Sequence, residues 1–440
     1  MMRRLRNLLR KDRILRFFEV WRTEGRKAAI KAATRHSRML LVGQTPSVVA
    51  HNRPSDSPHD RSCALTDVWT ELAQKNAFHV TTAPAVLRRR RSVAMIGDLN
   101  LPQCRKYRVE QLDEIWAAAG VDYAYAHYED VPRCLDILQS ATHLMLYRLG
   151  TSPVVEMYLY EARRLRLPVI YDIDDPLFSF SAYETYSNGA AIPPALRRSL
   201  IDQAPAYFAV MQQADALTLS TPGMVDAAGQ MSSRPAYLRR NFADRTTLDA
   251  GLRYGCKRTA DDGFTAVFAS GSSGHEVDLL SIADPLEMFL RRSDIRRLKI
   301  LGRFELDRLP DGLRSRAILE PFKDYPAYLA SLARADCAIL PLVDDAFNRC
   351  KSAVRVIDAA SVGLPSVVGS TGDGTAMVRH GETGMIAAAD GWYDALERLA
   401  RNPDRTSGMG MTARRDLETR WSAHTAMPIL EPSFISEIVL

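Results

Sequence analysis

The feature of this sequence that most constrains its fold is an alternation of short apolar runs with helical segments, which occurs twice along the chain. The apolar runs of the first series lie at residues 92–96, 141–147, 168–173 and 216–220. Those of the second series lie at residues 264–269, 297–302, 337–341 and 365–368. The helical patterns between the runs cover residues 108–119, 156–165, 205–214, 325–335 and 352–361. Because strands that alternate with helices form parallel sheets covered on both faces, we predict two Rossmann-like, doubly wound α/β domains.

The length and composition of the chain fit two such domains with extensions. A chain of 440 residues suggests about two to three domains, and its hydrophobic share of 46% is typical of a soluble globular protein. We predict a basic helical extension and linker at 1–90, a first domain at 91–241, a second domain at 242–425 and a tail at 426–440. A return of the tail to the first domain is left open. Ligands of doubly wound sheets bind beyond the carboxyl ends of the strands, so we expect a site in a cleft between the two domains.

Several classes of protein are excluded by what the sequence lacks. No apolar run reaches the ~18 residues of a membrane-spanning helix, and arginine and lysine interrupt every apolar stretch that could serve a secretory signal. The six cysteines are scattered without C-x-x-C spacing, which argues against a disulfide framework or a zinc site. We therefore expect a cytoplasmic protein with reduced thiols and no resident metal.

The positive charge is concentrated near the amino terminus. The net charge is +6, and residues 1–38 contain thirteen Lys or Arg but only three acids. Apolar residues recur near helical spacing among these arginines, as in a helix that lies on an anionic membrane surface. Two other interpretations stay open: a helix packed on the protein with a solvated basic face, and an arm that binds nucleic acid. A peripheral location on the inner face of the membrane follows only from the first.

Four blocks of the second half resemble the retaining group 1 glycosyltransferases of GT-B fold, a family-four-like group. In chain order they are YPAYLASLARADCAILPL, FNRCKSAVRVIDAASVGLPSVVGS, MVRHGETGMIA and WYDALERLARNPDRTSGMGMTARR. The first half is looser, although PVIYDIDDPLF, CRKYRVEQL and LMLYRLG are similar to segments of a subset of these enzymes. The resemblance implies two Rossmann-like domains that face a cleft, with a nucleotide-sugar donor in the second domain and a hydroxyl acceptor in the first. It implies no cofactor and no required metal.

A nucleotide diphosphate needs fixed hydrogen-bond donors and cations, and the second half offers candidates for both. The loop after residues 264–269 is rich in glycine and serine, which lets the backbone approach a phosphate closely; otherwise it is a tight turn. Lys351 precedes a predicted helix and can add a point charge, unless it is a solvated surface lysine. The predicted donor-binding residues are Gly271, Ser272, Ser273, His275, Arg303, Lys351, Ser352, Arg355 and Asp358.

Two positions depart from the pattern of the resembled family. Its signature helix usually begins and ends with glutamates separated by seven residues, and here those positions hold Cys350 and Asp358. Asp358 can accept hydrogen bonds from ribose hydroxyls, but its shorter side chain leaves a structural role open. Cys350 is interpreted as a bystander. These departures motivate an alternative in which the chain is a catalytically silent GT-B scaffold or a saccharide-binding protein.

The sharpest feature of the first domain is a group of acids after a strand, Asp172, Asp174 and Asp175. Three interpretations compete. The acids face the cleft as catalytic groups that orient a sugar or acceptor hydroxyl; Asp172 and Asp174 hold a metal as an Asp-x-Asp pair; or the acids cap the next turn or helix. The second sheet argues against the metal, because Asp-x-Asp chemistry normally belongs to single-domain enzymes.

Three further residues of the first domain follow strands on the same edge of the sheet. Gly97, Arg108 and Arg148 are predicted to contact the acceptor or a phosphate, although either arginine can equally be a surface cation. We therefore expect a hexosyltransferase-type enzyme that acts in surface polysaccharide or glycolipid assembly. Its partners would be a nucleotide sugar and a glycan or lipid-linked acceptor, and no nucleic acid, because repeated aromatic platforms for bases are missing.

Overall fold

The computed structural model describes residues 90–255, 263–271, 275–423 and 429–434, together with the single residues Ile30, Thr34 and Val68. Apart from Ile30 and Thr34, the basic segment 1–38 lies outside the described residues, as does most of the linker up to residue 89. Both sheets lie in one compact unit of residues 54–440. Among the helices that the structure describes, none is long and apolar enough to cross a bilayer.

The first domain is a parallel sheet of six strands in the order β2-β1-β3-β4-β5-β6. The strands are β1 Ser92–Gly97, β2 Asp122–His127, β3 His143–Tyr147, β4 Val169–Ile173, β5 Ala216–Leu219 and β6 Ala236–Leu238. The helices are α1 Pro102–Arg105, α2 Leu112–Ala118, α3 Val131–Ser140, α4 Pro153–Arg164, α5 Phe180–Thr185, α6 Pro194–Gln213 and α7 Pro222–Gly229. Helix α8 Arg245–Tyr254 follows β6 and packs on the second domain. A π-helical turn at Lys106–Glu110 joins α1 to α2, and a 3₁₀ turn at Ser187–Ala191 joins α5 to α6.

The second domain is also a six-stranded parallel sheet, in the order β12-β11-β10-β7-β8-β9. The strands are β7 Thr265–Gly271, β8 Arg297–Gly302, β9 Ala317–Glu320, β10 Cys337–Leu340, β11 Ser366–Val368 and β12 Gly384–Ile386. The helices are α9 Glu276–Leu280, α10 Ala283–Arg291, α11 Asp311–Arg314, α12 Tyr325–Leu332, α13 Val354–Ser361, α14 Gly374–Met377, α15 Trp392–Ala400 and α16 Pro403–Arg420. The short helix α17 Pro432–Phe434 follows them in the chain. Short 3₁₀ turns occur at Leu306–Arg308 and Asn348–Cys350. Two doubly wound domains of this topology form a GT-B fold, as predicted.

The central strands form because their side chains are buried on both faces. Every residue of β3, β4 and β5 is buried, which is the near-continuous apolar pattern of a parallel sheet covered by helices. Helices begin at side chains that accept hydrogen bonds from the first turn: Thr221 caps α7 and Asp244 caps α8. The strand order reverses between β1 and β3 and again between β7 and β10, and such switch points are where doubly wound sheets bind ligands.

The four strands that the sequence pattern missed are the four edge strands. β2, β6, β9 and β12 end the two sheets, and none of them coincides with a predicted apolar run. β2, β6 and β9 are partly exposed, so their apolar residues do not form a long unbroken run, and β12 is only three residues long. In β9, for example, Ile318 and Leu319 are exposed. The prediction that a helix starts at Pro205 was also wrong, because α6 begins at Pro194 and Pro205 lies inside it.

The described end of the chain packs on the first domain. Leu430 forms an antiparallel bridge with Arg239, and the ring of Phe434 lies 6.2 Å from that of Trp116 and 5.4 Å from that of Tyr237. Phe434 and Trp116 are fully buried. Residues 429–434 therefore complete the hydrophobic core on one face of the first sheet.

Close packing of α8 on α13 gives a stability prediction. A Cβ atom on Gly251 would overlap the carbonyl oxygen of Ser361, and a backbone atom cannot move aside cheaply. We expect Gly251→Ala to lower the free energy of unfolding by about 1–3 kcal/mol, measured by urea denaturation. The matched control is Gly408→Ala in α16, where nothing lies within 4 Å of an added Cβ; it should be neutral or slightly stabilising. Equal effects of the two substitutions would contradict the packing argument.

Candidate functional site

The predicted catalytic acid Asp172 is buried between two arginines of its own domain. Arg108 donates to Asp172 from Nε and Nη2, at 3.0 and 2.7 Å, and Arg239 donates to it from Nε and Nη2, both at 2.8 Å. The Thr218 hydroxyl adds a bond of 2.6 Å. Burial alone would raise the pKa of Asp172, but the two guanidinium groups outweigh it and hold the pKa below its usual value. All three charged side chains are fully buried, so we assign Asp172 and Arg108 a structural role in place of the predicted contacts with substrate.

This buried cluster is connected to the second domain through the linker between the sheets. Arg108 donates from Nη1 to the Oδ1 atom of Asn241 at 3.1 Å. Asn241 in turn donates from Nδ2 to the hydroxyl of Ser352 at 3.0 Å. Ser352, which was predicted to bind the donor, therefore has its hydroxyl tied to the first domain. Arg240 of the same linker forms a two-pronged ion pair with Asp373, at 2.9 and 3.1 Å.

The other two acids meet cations from both domains. Arg148 lies 3.1 Å from Asp174 and 3.5 Å from Asp175, measured from Nη1 to the nearest carboxylate oxygen. Lys351 reaches across from the second domain and places its Nζ atom 2.9 Å from Asp175 Oδ1. Burial alone would raise the pKa of Asp175, but Lys351 and then Arg148 lower it to about 2. Asp175 is therefore ionised throughout the physiological range, and its side chain keeps 22% of its exposure.

The backbone conformation of Arg148 contributes to this arrangement. Its φ angle is 51°, in the left-handed region that residues with a side chain rarely adopt, and its N–H donates to the Asp172 carbonyl at 3.0 Å. Such a conformation costs roughly 1–3 kcal/mol and tends to occur where structure serves a site. The turn directs the chain out of β3 with the guanidinium beside the acids. On the neighbouring strand, Gly97 is tightly packed, because an added Cβ would lie 2.9 Å from the Cβ of Tyr147.

Two predicted donor residues lie near Lys351 in the second domain. His275 Nδ1 lies 3.4 Å from Asp278 Oδ2. Burial, followed by the nearby Arg355, lowers the pKa of His275 to about 4, so its ring is neutral at physiological pH. The guanidinium of Arg355 lies over the ring of Phe268 in β7, 5.7 Å from its centroid. Lys351 and Arg355 thus bring positive charge to the carboxyl edge of β7, next to a neutral imidazole.

The remaining donor candidates are only partly described. Gly271 ends β7, whereas Ser272 and Ser273 lie outside the described residues. Arg303 follows β8 and is exposed, while its carbonyl accepts a bond of 2.7 Å from the Ser270 hydroxyl. That bond joins the ends of two neighbouring strands. Gly271 and Arg303 therefore stand at the same edge of the second sheet.

Asp358 lies within a group of tyrosines. It accepts hydrogen bonds from the hydroxyls of Tyr107 and Tyr325, the latter at 2.7 Å, and Tyr107 comes from the first domain. Lys106 adds cation–π contacts to the rings of both tyrosines, at 4.7 and 4.6 Å, and forms an ion pair of 3.0 Å with Asp244. Burial raises the pKa of Asp358 above its usual value. The carboxyl group is thus engaged in joining the domains, which favours the structural interpretation left open above.

Cys350 occupies the other position at which the sequence departs from the family pattern. Its carbonyl accepts from the Thr221 hydroxyl at 3.0 Å, and its thiol donates to the Gly223 carbonyl at 3.4 Å. Burial raises the pKa of the thiol to about 12, so it stays protonated. Cys350 therefore packs against the start of α7, and its neutral side chain suits that contact better than a glutamate would.

Several residues that organise the site could not be recognised from local sequence patterns. Arg239 shares Asp172 with Arg108, and Tyr107 reaches Asp358 from the other domain. Asp278 accepts from the Asn348 amide at 3.0 Å and from the Val343 N–H at 3.1 Å. The only available signal was Arg239-Arg240-Asn241, a polar segment beside a strand, because every one of these contacts joins residues far apart in the chain.

The tyrosine contacts of Asp358 predict the outcome of a neutral substitution. Asp358→Asn keeps an oxygen that accepts from Tyr107 and Tyr325 and removes an ionisable group from a buried position. Because the folded pKa is raised, ionisation of Asp358 opposes folding as the pH rises through that pKa. At pH 7.5 we expect the free energy of unfolding to stay within about 1 kcal/mol of the original or to increase, and affinity for nucleoside diphosphates to stay unchanged. A tenfold loss of that affinity would show that Asp358 binds the donor after all. Urea denaturation measures the free energy of unfolding, and calorimetric titration measures the affinity.

Part of the second domain matches a known protein family. Residues 279–402 match the family model described as glycosyl transferases group 1, a segment that includes Lys351, Arg355 and Asp358. No curated protein matches the chain in sequence.

Solved structures that match this chain include the following two. Sucrose-phosphate synthase from Thermosynechococcus elongatus is 15% identical, with 75% of this chain and 94% of that chain covered and a TM-score of 0.48. Anabaena HepE in complex with UDP and glucose is 14% identical, with 76% and 96% covered and a TM-score of 0.48. Both scores are below 0.5, so the fold assignment depends on the sheet topology and the family on the matched domain. Residues 279–402 are a group 1 glycosyltransferase domain, and the chain that carries it is a glycosyltransferase of GT-B fold.

Proposed function

We propose that the protein transfers a hexosyl group from a nucleotide-sugar donor to a hydroxyl acceptor, with retention of configuration. The observation that carries the proposal is the position of Lys351, which belongs to the matched domain and meets Asp175 of the first domain at 2.9 Å. The cations of one domain and the acids of the other thereby share one cleft. A donor would lie on the second domain and an acceptor on the first.

The donor side is suited to a diphosphate. Lys351 and Arg355 bring two positive charges, and the loop that begins at Gly271 follows a strand and precedes α9. The neutral His275 can exchange a hydrogen bond with a sugar or ribose hydroxyl. Stabilising charge on the departing diphosphate is then the main contribution of the protein to the reaction. Arg303, on the same edge, is a further candidate for a phosphate contact.

On the acceptor side, Asp174, Asp175 and Arg148 can orient a hydroxyl group. Arg148, which stays beside Asp175 in either state of the cleft, lowers the pKa of this carboxyl group, so Asp175 is a weak base and is poorly suited to remove a proton from the acceptor. This supports a mechanism in which the leaving phosphate takes the acceptor proton on the same face of the sugar. Such a mechanism is implied by the family resemblance and gives retention.

We further propose that the transfer needs no metal or other cofactor. In an Asp-x-Asp site both carboxylates would bind the ion, but here Asp172 is fully buried and holds Arg108 and Arg239. A divalent ion would have to displace two guanidinium groups from one carboxylate. EDTA should therefore leave the rate of transfer unchanged.

The experiment that tests the proposed function is a screen of nucleoside diphosphates and nucleotide sugars. Binding of UDP, GDP, ADP, CDP and dTDP is measured by thermal shift, because a ligand that binds the folded state raises the melting temperature by mass action. Donor hydrolysis is then followed for the sugars of the best nucleotide, and NMR recorded before the released sugar anomerises gives its anomeric configuration. Binding of none of these compounds would contradict the proposed enzyme and favour a silent scaffold. An inverted product would contradict retention alone.

The acceptor is proposed to be lipid-linked, as in the assembly of surface polysaccharides or glycolipids. The supporting observation is the sequence of residues 1–38, with thirteen basic and three acidic residues, which suits a surface of anionic lipid. Vesicles containing phosphatidylglycerol should bind the full chain but should not bind the chain that lacks residues 1–38. Unchanged vesicle binding after the deletion would contradict this membrane contact, whatever the result for donor binding.

A further inference from the structure

Lys351, the cation that would bind the donor diphosphate, is paired with Asp175 in this structure. The Lys351 ammonium lies 2.9 Å from Asp175 and 4.7 Å from the centre of the Phe347 ring. Phe347 is stacked at 4.2 Å on Tyr186 of the first domain. The lysine is therefore held at the domain boundary by a carboxylate and an aromatic ring, and its side chain is 22% exposed.

A carboxylate and a diphosphate compete for one ammonium group. Both are anions, and at contact distance their mutual repulsion is poorly screened in a site that is largely closed to water. Lys351 is a compact point charge on a flexible stem, so it can turn from one anion to another. The three acids differ in how closely they depend on Lys351 as a cation partner. Asp172 is fixed between two arginines and Asp174 is paired with Arg148, whereas Asp175 has Lys351 as its nearest cation.

Asp175 also has a second cation within reach. Arg148 Nη1 lies 3.5 Å from Asp175 Oδ2, on the opposite carboxylate oxygen from Lys351. Loss of Lys351 would therefore leave Asp175 paired with Arg148 and not as an isolated buried charge. This matters because an uncompensated buried carboxylate would be costly. The exchange of partners is thus possible without separating any acid from every cation.

We propose that Asp175 is the exchangeable counter-ion of Lys351: the donor diphosphate displaces it from the lysine, and Asp175 then turns with Arg148 toward the acceptor. This inference rests on the proposed function. In the unliganded protein the pair joins the second domain to the first and keeps Asp175 from the acceptor. Donor binding releases the acid, so the donor binds first and the acceptor second.

The experiment compares affinities for a nucleoside diphosphate and its nucleoside by calorimetric titration. UDP with uridine is the first probe, followed by GDP with guanosine and ADP with adenosine. Asp175→Asn frees Lys351, so the dissociation constant of the diphosphate should fall about fivefold to tenfold. The constant of the nucleoside, which has no phosphate, should stay within about twofold. The control is Asp373→Asn, which removes the same charge from another ion pair between the domains and should change neither value.

A second variant separates exchange of partners from a general loss of negative charge. In a Lys351→Met background, Asp175→Asn should no longer improve diphosphate affinity, because no lysine remains to be released. An equal gain with and without Lys351 would overturn the exchange, as would unchanged or weaker diphosphate binding by Asp175→Asn. Asp175→Ser gives the same comparison if the asparagine variant does not fold. Absence of diphosphate binding in the original protein would refute the proposed function as well, whereas binding without the gain refutes only the exchange.

Discussion

Replacing Lys351 by alanine is expected to lower the affinity for the donor's nucleoside diphosphate by about 10-fold to 150-fold. Hydrogen bonds to charged groups contribute about 1.5–3 kcal/mol, and each 1.4 kcal/mol is a factor of about ten in a dissociation constant. The effect on kcat/KM should be larger, about 100-fold to 1000-fold, because charge grows on the departing diphosphate in the transition state and the loss of one preorganised donor there costs about that much. Calorimetric titration and initial rates of donor hydrolysis measure the two effects.

A lysine of the same domain outside the cleft provides the control. Lys323 forms an ion pair of 2.6 Å with Glu320 at the edge of the second sheet, and Lys323→Ala should leave affinity and rate unchanged. Removal of Lys351 leaves Asp175 with Arg148, so the melting temperature of Lys351→Ala should change little. Full donor affinity in Lys351→Ala would refute the assignment of this lysine to the phosphates. A loss that appears equally in Lys323→Ala would point to a general effect of charge.

The parts of the fold that could be predicted from sequence are those in which burial repeats along the chain. β3, β4 and β5 are buried throughout and appear as apolar runs, and they were predicted within a few residues. The edge strands β2 and β9 are partly exposed, and they were not predicted because polar residues bound their short apolar runs at 123–126 and 317–319. The order of strands in each sheet is set by contacts between distant segments, which a local pattern does not contain.

The residues of the site likewise divide into those that could be recognised from the sequence and those that could not. The group at Asp174 and Asp175 was recognisable because three acids directly follow a strand, and Lys351 because a cation precedes a helix. The different environment of Asp172 could not be predicted, since it depends on Arg108 and Arg239, which come from segments 64 and 67 residues away. The engagement of Asp358 by Tyr107, 251 residues away, is of the same kind. Adjacent residues that look alike in sequence thus acquire different roles from long-range contacts.

The largest effect on stability is expected for Asp172→Asn. The substitution leaves Arg108 and Arg239 buried beside each other without their shared carboxylate, and removing one partner of a buried ion pair typically costs about 3–5 kcal/mol. We expect a loss of that size in the free energy of unfolding, measured by urea denaturation at pH 7. The control is Asp215→Asn, which breaks an exposed pair with Arg163 and should cost less than about 1 kcal/mol.

The pH dependence of this difference follows from the lowered pKa of Asp172. A carboxyl group whose folded pKa lies below its usual value stabilises the fold above that usual value, and the contribution is lost as the pH falls through the folded pKa. The difference in the free energy of unfolding between the original protein and Asp172→Asn should therefore be constant from pH 7 to 5. Below the usual value of 3.8 it should narrow. Because Arg108 also holds Asn241, which bonds Ser352 at 3.0 Å, donor affinity should weaken in Asp172→Asn even at temperatures where the variant is fully folded. A loss of stability below 1 kcal/mol, or a gap that widens in acid, would contradict the structural role assigned to Asp172.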